Sequence, residues 1–310
     1  MSVPIIYSPH SIGLKKNTLD YLFVPLSIAS VVKSNPTSDV FFLNVNDNYP
    51  LAVSGVKDID ARGFYNSACA EIRQVYKHLS TNQPEFELFC LERFFVIREF
   101  MRREKINWAF LIESDVLLFE NLSALLNSKG GICSNRVHLS EKKCISLAYV
   151  SLEYIEYYCQ YVINCYVQPE KFIKIETFFK QYNEKGGKGG ICDMTFCDYI
   201  NKGMYGADKS YLAGNMSDLY VNEENERVLI DSFIGRDFIL DSDIRFEMDK
   251  SYVDGKIIKK IELIDGVLSA RILNGESVKL ASIHCQGNAK ALMADYFCNF
   301  VLGSKVKDSL

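Results

Sequence analysis

The alternation of apolar runs and a helical pattern over residues 3–45 limits the fold more than any other feature of the chain. Residues 3–7 and 39–45 are apolar runs of strand length. Between them, residues 17–33 carry apolar side chains at the spacing of an amphipathic helix. A strand, a helix and a second strand joined by short links are typical of parallel neighbours in one sheet. The sequence therefore predicts an α/β fold with a mainly parallel sheet.

The rest of the chain extends this pattern and then leaves it. A helix is predicted over residues 85–104 and a strand over 107–112, again in α/β order. The stretch 256–284 contains three strand-like runs separated by Asp-Gly and Asn-Gly, the preferred two-residue hairpin turns. A last helix is predicted over 289–302. We therefore expect an α/β core followed by a β-meander and a final helix.

Charge excludes proteins that hold polyanions by net attraction. The 310 residues include 35 Lys and Arg against 39 Asp and Glu, a net charge of −4. A nucleic-acid-binding domain would show a basic excess, so no nucleic-acid partner is expected. The hydrophobic share of 48% excludes a disordered chain. The composition is that of a globular protein with a substantial core.

The ten cysteines are interpreted as reduced packing residues. No two form a C-x-x-C pair, most lie among apolar neighbours, and no secretory signal is recognised at Met1. Thiols in apolar surroundings are typical of reduced proteins in the cytosol. No uninterrupted apolar run reaches the length of a membrane-spanning helix. We therefore expect a cytoplasmic protein without a transmembrane segment.

Two short segments carry candidate chemistry. Glu113 and Asp115 follow the apolar strand at residues 107–112, at a spacing that puts both on one side of an extended chain. Carboxylates at the carboxyl end of a parallel strand can hold a divalent cation and, through it, phosphate. Near the end of the chain, His284 and Lys290 flank a glycine in a turn. An imidazole beside two carboxylates favours Mn²⁺ over Mg²⁺. Each segment alone is equally typical of a solvated turn.

Together these segments resemble those of metal-dependent glycosyltransferases with the GT-A fold. Residues 113–122 (ESDVLLFENL) are similar to their Asp-x-Asp segment. Residues 284–290 are similar to the His-x-x-Gly-x-x-Lys turn of glycosyltransferase family 8. Residues 189–196 (GGICDMTF) resemble the glycine-then-acid segment that touches the donor sugar, and Arg93 stands where such enzymes often carry a basic residue. The segments occur in the family's order.

The resemblance implies a GT-A-like, Rossmann-like three-layer α/β sandwich with a C-terminal β-meander plus helix. It implies one domain over residues 1–310, with a nucleotide-binding half (1–125) and a sugar and acceptor half (126–310). The implied activity is transfer of a hexose from a nucleotide diphosphate sugar, with a UDP-sugar as the expected donor, to a glycan or glycolipid acceptor. Polysaccharide biosynthesis is the setting this suggests, and the family 8 similarity favours retention of configuration.

The resemblance also assigns residues. The implied ligands of Mn²⁺ (or Mg²⁺) are Glu113, Asp115 and His284. The implied catalytic residues are Asp193, which would hold donor-sugar hydroxyls or act as a base, and Lys290, which would stabilise the leaving phosphate. The implied nucleotide-sugar contacts are Ser8, His10, Asn46, Asp47, Arg93, Gly190, Asp193, Gly287 and Lys290.

Departures from the pattern keep alternatives open. Glutamate replaces the first aspartate at Glu113, and Ala291-Leu292 replaces the usual Pro-Trp. A nucleotide-sugar or glycan-binding protein without turnover is therefore one alternative. A sugar-phosphate nucleotidyltransferase is another, although SPHSIGLKK follows the first strand where such enzymes carry a glycine-rich loop. A second acidic pair, Asp241 and Asp243, precedes the meander, and we favour Glu113 and Asp115 over it.

Three further stretches each have two interpretations. The tyrosines within residues 149–166 are interpreted as core or a homodimer surface, or as the lining of an acceptor cleft. The run GGKGG at 186–190 is a loop that closes over the donor or a flexible connector. The basic stretch 98–105 is a solvated helix end or a peripheral membrane contact.

Overall fold

The structure is a computed structural model. It describes residues 2–7, 20–45, 51, 53–126, 134–221, 226–231, 233–239, 242–249 and 257–301. The helices are α1 (Asp20–Ser34), α2 (Arg62–Val75), α3 (Pro84–Arg103), α4 (Leu122–Leu125), α5 (Leu152–Val167), α6 (Pro169–Glu184), α7 (Asp193–Asn201) and α8 (Met293–Val301). The strands are β1 (Ile5–Tyr7), β2 (Val40–Asn44), β3 (Lys57–Asp60), β4 (Trp108–Ile112), β5 (Val116–Leu118), β6 (His138–Ser140), β7 (Cys144–Ser151), β8 (Gly214–Asn215), β9 (Leu219–Val221), β10 (Arg227–Ile230), β11 (Met248–Asp249), β12 (Ile258–Lys259), β13 (Ile261–Ile264), β14 (Val267–Arg271) and β15 (Ser277–His284).

The central sheet has seven strands in the order β3-β2-β1-β4-β7-β6-β8. The predicted parallel unit at the start of the chain is confirmed, since Ile5 of β1 pairs in parallel with Val40 of β2. β1 also runs parallel to β4, and β2 to β3. β7 alone runs antiparallel to both of its neighbours in this sheet. The sheet is therefore mainly parallel, as the sequence predicted.

Alternate residues of the central strands face two separate hydrophobic cores. Ile6 of β1 belongs to a core shared with α2, α3 and α5. Ile5 and Tyr7 belong to a core shared with α1 and the second sheet. Because side chains of a strand alternate between its faces, a sheet buried on both sides must be apolar at every position. This arrangement is the expected GT-A-like three-layer α/β sandwich.

The second sheet confirms the predicted meander and adds strands the sequence did not indicate. Its order is β13-β14-β15-β10-β9, and β5 pairs with β15. β13, β14 and β15 are antiparallel neighbours joined through Gly266 and Gly275, whose φ angles of 80° and 90° suit the two hairpin turns. The predicted last helix begins later than expected, because residues 287–292 form a 3₁₀ turn before α8.

Two sequence interpretations are decided by packing. The tyrosines of 149–166 that lie in the cores are Tyr149, Tyr154, Tyr158, Tyr161 and Tyr166, each at most 3% exposed. They form core rather than an acceptor cleft.

In the basic stretch 98–105, each arginine pairs with a glutamate: Arg98 with Glu71, Arg102 with Glu156 and Arg103 with Glu99. These pairs are what a solvated helix end contains, and membrane contact stays a prediction.

None of the helices in the described ranges combines the length and apolar character needed to cross a bilayer. The nine cysteines within those ranges are free, and Cys298 among them is exposed; Cys133 lies outside the ranges. That the thiols are reduced packing residues stays a prediction.

Candidate active site

The acidic segment forms a turn between two strands that belong to different sheets. β4 ends at Ile112 in the central sheet, and β5 begins at Val116 in the second sheet. The backbone N–H of Glu113 donates to the Ser146 carbonyl (2.9 Å), and that of Val116 donates to the Glu113 carbonyl (3.2 Å). The expectation of an extended chain here was wrong. The turn, rather than strand alternation, brings the carboxylates of Glu113 and Asp115 together.

Strand pairing in the second sheet delivers the histidine to the same place. β5 runs antiparallel to β15, so that His284 lies opposite Val116. The Cys285 N–H donates to the Asp115 carbonyl (2.8 Å). His284 Nε2 lies 3.4 Å from Asp115 Oδ1. Both side chains are almost fully buried, so the register holds imidazole and carboxylate side by side.

Glu113, Asp115 and His284 form a cluster of three potential metal ligands. One ligand atom from each residue lies within 4.8 Å of the others. Ligands bound about 2.2 Å from an ion lie at most about 4.4 Å apart, so a small contraction would close the cluster around a cation. Two carboxylate oxygens and one imidazole nitrogen suit Mn²⁺, and Mg²⁺ less well. The residues present therefore fit a divalent metal ion.

Arg93 joins the cluster to a second acid. From α3, its guanidinium donates to Glu113 Oε1 and to Asp193 Oδ2, each at 2.6 Å. The three side chains are between 7% and 20% exposed. Burial would lower the pKa of Arg93, but the two carboxylates outweigh it and raise that pKa well above its usual value. Arg93 is therefore a permanent cation held between two anions.

Asp193 owes its position to the start of a helix. It is the first residue of α7, where the helix dipole favours a negative charge. The Tyr158 hydroxyl donates to its carbonyl (3.2 Å), and Tyr158 stacks on Phe94 of α3. The packing of α5 between α3 and α7 thus sets the distance from Asp193 to Arg93.

Lys290 completes the charged surroundings of Asp115. Its Nζ lies 3.3 Å from Asp115 Oδ2 and 4.4 Å from the centre of the Phe23 ring. The sequence placed this lysine at the start of the last helix. It lies instead inside the 3₁₀ turn over residues 287–292, ahead of α8. From this turn the ammonium group of Lys290 still contacts the carboxylate of Asp115.

Two adjoining cavities open beside these residues. The first, about 350 Å³, is lined by Arg93, Glu113, Asp115, Asp193, His284, Gly287 and Lys290 among others. The second, about 830 Å³, is lined by residues of α6, α7 and the loop between them and by residues of β6, β7 and the turn between those strands, among others. His284 and Gln286 line both. A charged chamber therefore continues into a larger, more open one.

Not every predicted contact can be located. Ser8, His10, Asn46 and Asp47 lie outside the described residues. Asp241 does too, whereas Asp243 is exposed and takes no part in the acidic cluster.

The two predicted glycines serve different purposes. Gly287 lines the first cavity with a φ of 64°, a conformation that favours glycine; an added Cβ would meet no described atom within 4 Å. Gly190 lines the second cavity and packs against Leu79 and Ser80, where a Cβ would lie 2.2 Å from the Leu79 oxygen. The run GGKGG thus ends at a glycine whose backbone packs against the chain before α3.

Sequence reasoning missed three groups at the site. Cys144 and Cys192 line both cavities. Burial, and after it the negative charge of Asp193, raises the pKa of the Cys192 thiol to about 11. Glu87 also lines both cavities while being 2% exposed. The sequence signal for Glu87 was its place among apolar residues of the predicted helix. An acidic residue that is buried in such a stretch rarely lacks a partner.

No family model and no curated protein matches the sequence. Among solved structures, the chain is similar to mouse xyloside xylosyltransferase 1 in its apo form, at 9% identity and a TM-score of 0.43 over 70% of this chain and 85% of that one. It is also similar to the galactosyltransferase LgtC in complex with donor and acceptor sugar analogues, at 11% identity and a TM-score of 0.30 over 63% of this chain and 68% of that one. Both are glycosyltransferases by name.

Proposed function

We propose that the protein is a metal-dependent glycosyltransferase that moves a hexose from a UDP-sugar to a glycan or glycolipid acceptor. The observation that carries the proposal is the cluster of Glu113, Asp115 and His284, with Lys290 beside it, at the wall of one cavity. A divalent cation and a lysine are the groups that hold a diphosphate. The fold supports the proposal, because the cluster lies at the carboxyl end of β4, where α/β sheets bind ligands.

Different residues act on the diphosphate and on the sugar of the donor. Bound at Glu113, Asp115 and His284, Mn²⁺ would supply Lewis-acid stabilisation of the phosphate charge that develops as the glycosidic bond breaks. Lys290 adds a second positive charge for that phosphate. Asp193, oriented by Arg93, accepts hydrogen bonds from hydroxyls of the donor sugar, and retention of configuration remains part of the proposal.

The remaining predictions complete the proposal. Ser8, His10, Asn46, Asp47, Gly190 and Gly287 are the further contacts to the nucleotide sugar. Residues 1–125 contribute the nucleotide-binding half and residues 126–310 the sugar and acceptor half. A cytoplasmic location follows from the donor, since nucleotide sugars of this kind are made in the cytosol.

One observation favours a second candidate, a nucleotide-sugar-binding protein without turnover. Glu113 Oε1 is already engaged by Arg93 at 2.6 Å, and Glu113 stands where the resembled family carries aspartate. If this carboxylate stays on Arg93, Asp115 and His284 remain as the protein ligands of the ion. UDP release from the donor separates the two candidates, because a binding protein would be stabilised by UDP and Mn²⁺ yet release none.

The first test combines ligand binding and one substitution. UDP and Mn²⁺ together are expected to raise the melting temperature of the wild-type protein, and neither alone to the same extent. Asp115→Asn should abolish the Mn²⁺-dependent part and slow UDP release from UDP-hexoses about 100-fold or more, since loss of metal stabilisation costs several kcal/mol. Asp243→Asn, at the exposed member of the second acidic pair that the structure describes, is the matched control. Undiminished Mn²⁺-dependent activity in Asp115→Asn would contradict the metal assignment.

A further inference from the structure

Glu87 is a buried carboxylate that the metal cluster and the Arg93 ion pairs leave unused. It lies in α3, is 2% exposed and lines both cavities. Carboxylates are almost never buried to this degree unless a partner compensates the loss of water. Its partners therefore indicate what the residue is for.

Only one oxygen of Glu87 is occupied. The Ser80 hydroxyl donates to Oε1 at 2.8 Å, and the Asn82 side-chain amide donates to the same oxygen at 2.6 Å. Within the described part of the chain, Oε2 accepts no hydrogen bond and Glu87 forms no ion pair. Oε2 is not among the fully buried unpartnered atoms, so it retains accessible surface. Since Glu87 lines both cavities, Oε2 is the carboxylate oxygen that remains available to a ligand there.

The anchored oxygen is held by a segment that is itself fixed. The Asn82 N–H donates to the Ser80 hydroxyl (3.1 Å), and Ser80 forms a β-bridge with Gly190. The Gly189 N–H donates to the Thr81 hydroxyl (2.8 Å). These bonds connect the chain before α3 to the chain before α7. The carboxylate of Glu87 is consequently held in place beside the two cavities that it lines.

Charge indicates what kind of group this oxygen would bind. The acids of the first cavity already have cationic neighbours, Arg93 for Glu113 and Asp193 and Lys290 for Asp115. Of the cations that line the second cavity, Lys143 and Arg236 pair with Glu141 and Lys202 pairs with Asp198, while Lys188 is exposed. Glu87 itself forms no ion pair with a described residue, so its carboxylate disfavours an anion in direct contact and accepts hydrogen bonds from neutral donors. Hydroxyl groups of an uncharged sugar are such donors.

The larger cavity offers a surface for the rest of that sugar. Phe178 and Tyr182 of α6 line it, are each 39% exposed, and stack with their ring centres 6.1 Å apart. The Tyr182 hydroxyl donates to the Lys188 carbonyl (2.9 Å), which fixes the ring at the edge of the cavity. Exposed aromatic faces of this kind pack against the apolar faces of sugar rings.

We propose that Glu87 binds the acceptor: its Oε2 accepts a hydrogen bond from the attacking hydroxyl of a neutral sugar that lies in the second cavity. This inference rests on the proposed glycosyltransferase function. It names an acceptor class, an uncharged saccharide, and a residue that orients its hydroxyl oxygen toward the donor in the first cavity.

Glu87→Gln tests the proposal atom by atom. The amide oxygen of glutamine can accept both bonds from Ser80 and Asn82, while its NH₂ replaces Oε2 with a donor. With the UDP-hexose and the p-nitrophenyl hexoside that the wild-type protein uses best, we expect kcat/KM for the hexoside to fall about 10- to 100-fold, as for loss of a hydrogen bond to a charged group. The stabilisation by UDP and Mn²⁺ should stay at the wild-type level.

Glu92→Gln is the matched control. Glu92 is another buried carboxylate of α3, 4% exposed, but its oxygens are taken by Arg73 and Tyr65, and it lines neither of the two cavities. A second experiment compares two acceptors with the wild-type protein. A p-nitrophenyl hexuronide should be an acceptor at least about tenfold poorer than the matching hexoside, because its carboxylate would lie next to that of Glu87.

The outcomes separate the two proposals. Wild-type kcat/KM in Glu87→Gln, or equal use of hexuronide and hexoside, overturns the role of Glu87 and leaves the glycosyltransferase function standing. A wild-type protein that neither binds UDP with Mn²⁺ nor transfers a hexose overturns the proposed function, and the acceptor role falls with it.

Discussion

At the scale of single residues, the site is organised around Arg93. This side chain contacts Glu113 and Asp193, two carboxylates that come from segments 80 residues apart in the chain. Without the guanidinium, both acids would face each other in a buried environment that disfavours two negative charges. The arginine therefore has a structural role that is independent of any ligand.

Substitution of Arg93 by methionine should reveal that role. We expect a loss of about 3–5 kcal/mol in the free energy of unfolding at pH 7, because a buried ion pair loses one partner. Urea unfolding of the variant and of the wild-type protein at pH 7 measures the loss.

Arg102→Met supplies the comparison within the same helix. Arg102 pairs with Glu156 at the surface, where the two side chains are 47% and 39% exposed. Exposed pairs contribute about 0–1 kcal/mol, so this variant should unfold almost as the wild type does. Equal losses in both variants would mean that the Arg93 pairs are worth no more than surface ones.

At the scale of elements, the loop before α7 is held against the chain before α3. Gly190 allows this contact, because its backbone lies directly on Leu79 and Ser80. The Ile191 N–H donates to the Leu79 carbonyl (2.8 Å) at the same point. The glycine-rich run therefore positions α3 and α7 relative to each other, a third role beside the two that the sequence suggested.

Gly190→Ala is expected to disturb this contact. Its Cβ would lie 2.2 Å from the Leu79 oxygen and 2.6 Å from the Ser80 Cα, both backbone atoms that cannot rotate away. Overpacking of this kind costs about 1–3 kcal/mol, and the melting temperature should fall accordingly. Gly63→Ala in α2, where an added Cβ meets no described atom within 4 Å, should be neutral or slightly stabilising. Unchanged melting of Gly190→Ala would argue against a close contact here.

At the scale of the whole molecule, burial of thiols and phenols makes alkaline pH the vulnerable side. Within the described part of the chain, burial raises the pKa of eight cysteines and twelve tyrosines above their values of 9.0 and 10.0 in water. An acid whose pKa is raised by folding loses its proton first in the unfolded state. Stability is therefore complete below the unfolded pKa and falls as the pH rises through it.

Unfolding free energies should accordingly decline steeply above about pH 9. Each thiol that is ionised only in the unfolded state contributes a slope of about 1.4 kcal/mol per pH unit, against a total stability of about 5–15 kcal/mol. Urea unfolding under reducing conditions from pH 7.5 to 9.5 measures the slope. Cys159→Ala, which removes one buried thiol, should reduce it, and Cys298→Ala should not, because Cys298 is exposed. A flat profile would contradict this account.

Local patterns in the sequence were enough for the elements and for part of the site. Residues 3–45 predicted the parallel unit, because strand and helix periodicities are properties of neighbouring residues. The Asp-Gly and Asn-Gly dipeptides that predicted the hairpin turns of the meander are local patterns as well. The motifs at Glu113, Asp115 and His284 predicted the three potential metal ligands that the structure brings together.

What the sequence by itself determined about this protein was therefore the order of its elements, the α/β class and the residues that carry charge. The tertiary structure alone decided which of those charges meet. Pairing of β5 with β15 joins His284 to Asp115, and packing of α3, α5 and α7 joins Arg93 to Asp193. The free oxygen of Glu87 is likewise a product of contacts with the chain before α3. Such contacts join residues far apart along the chain, and no short-range pattern records them.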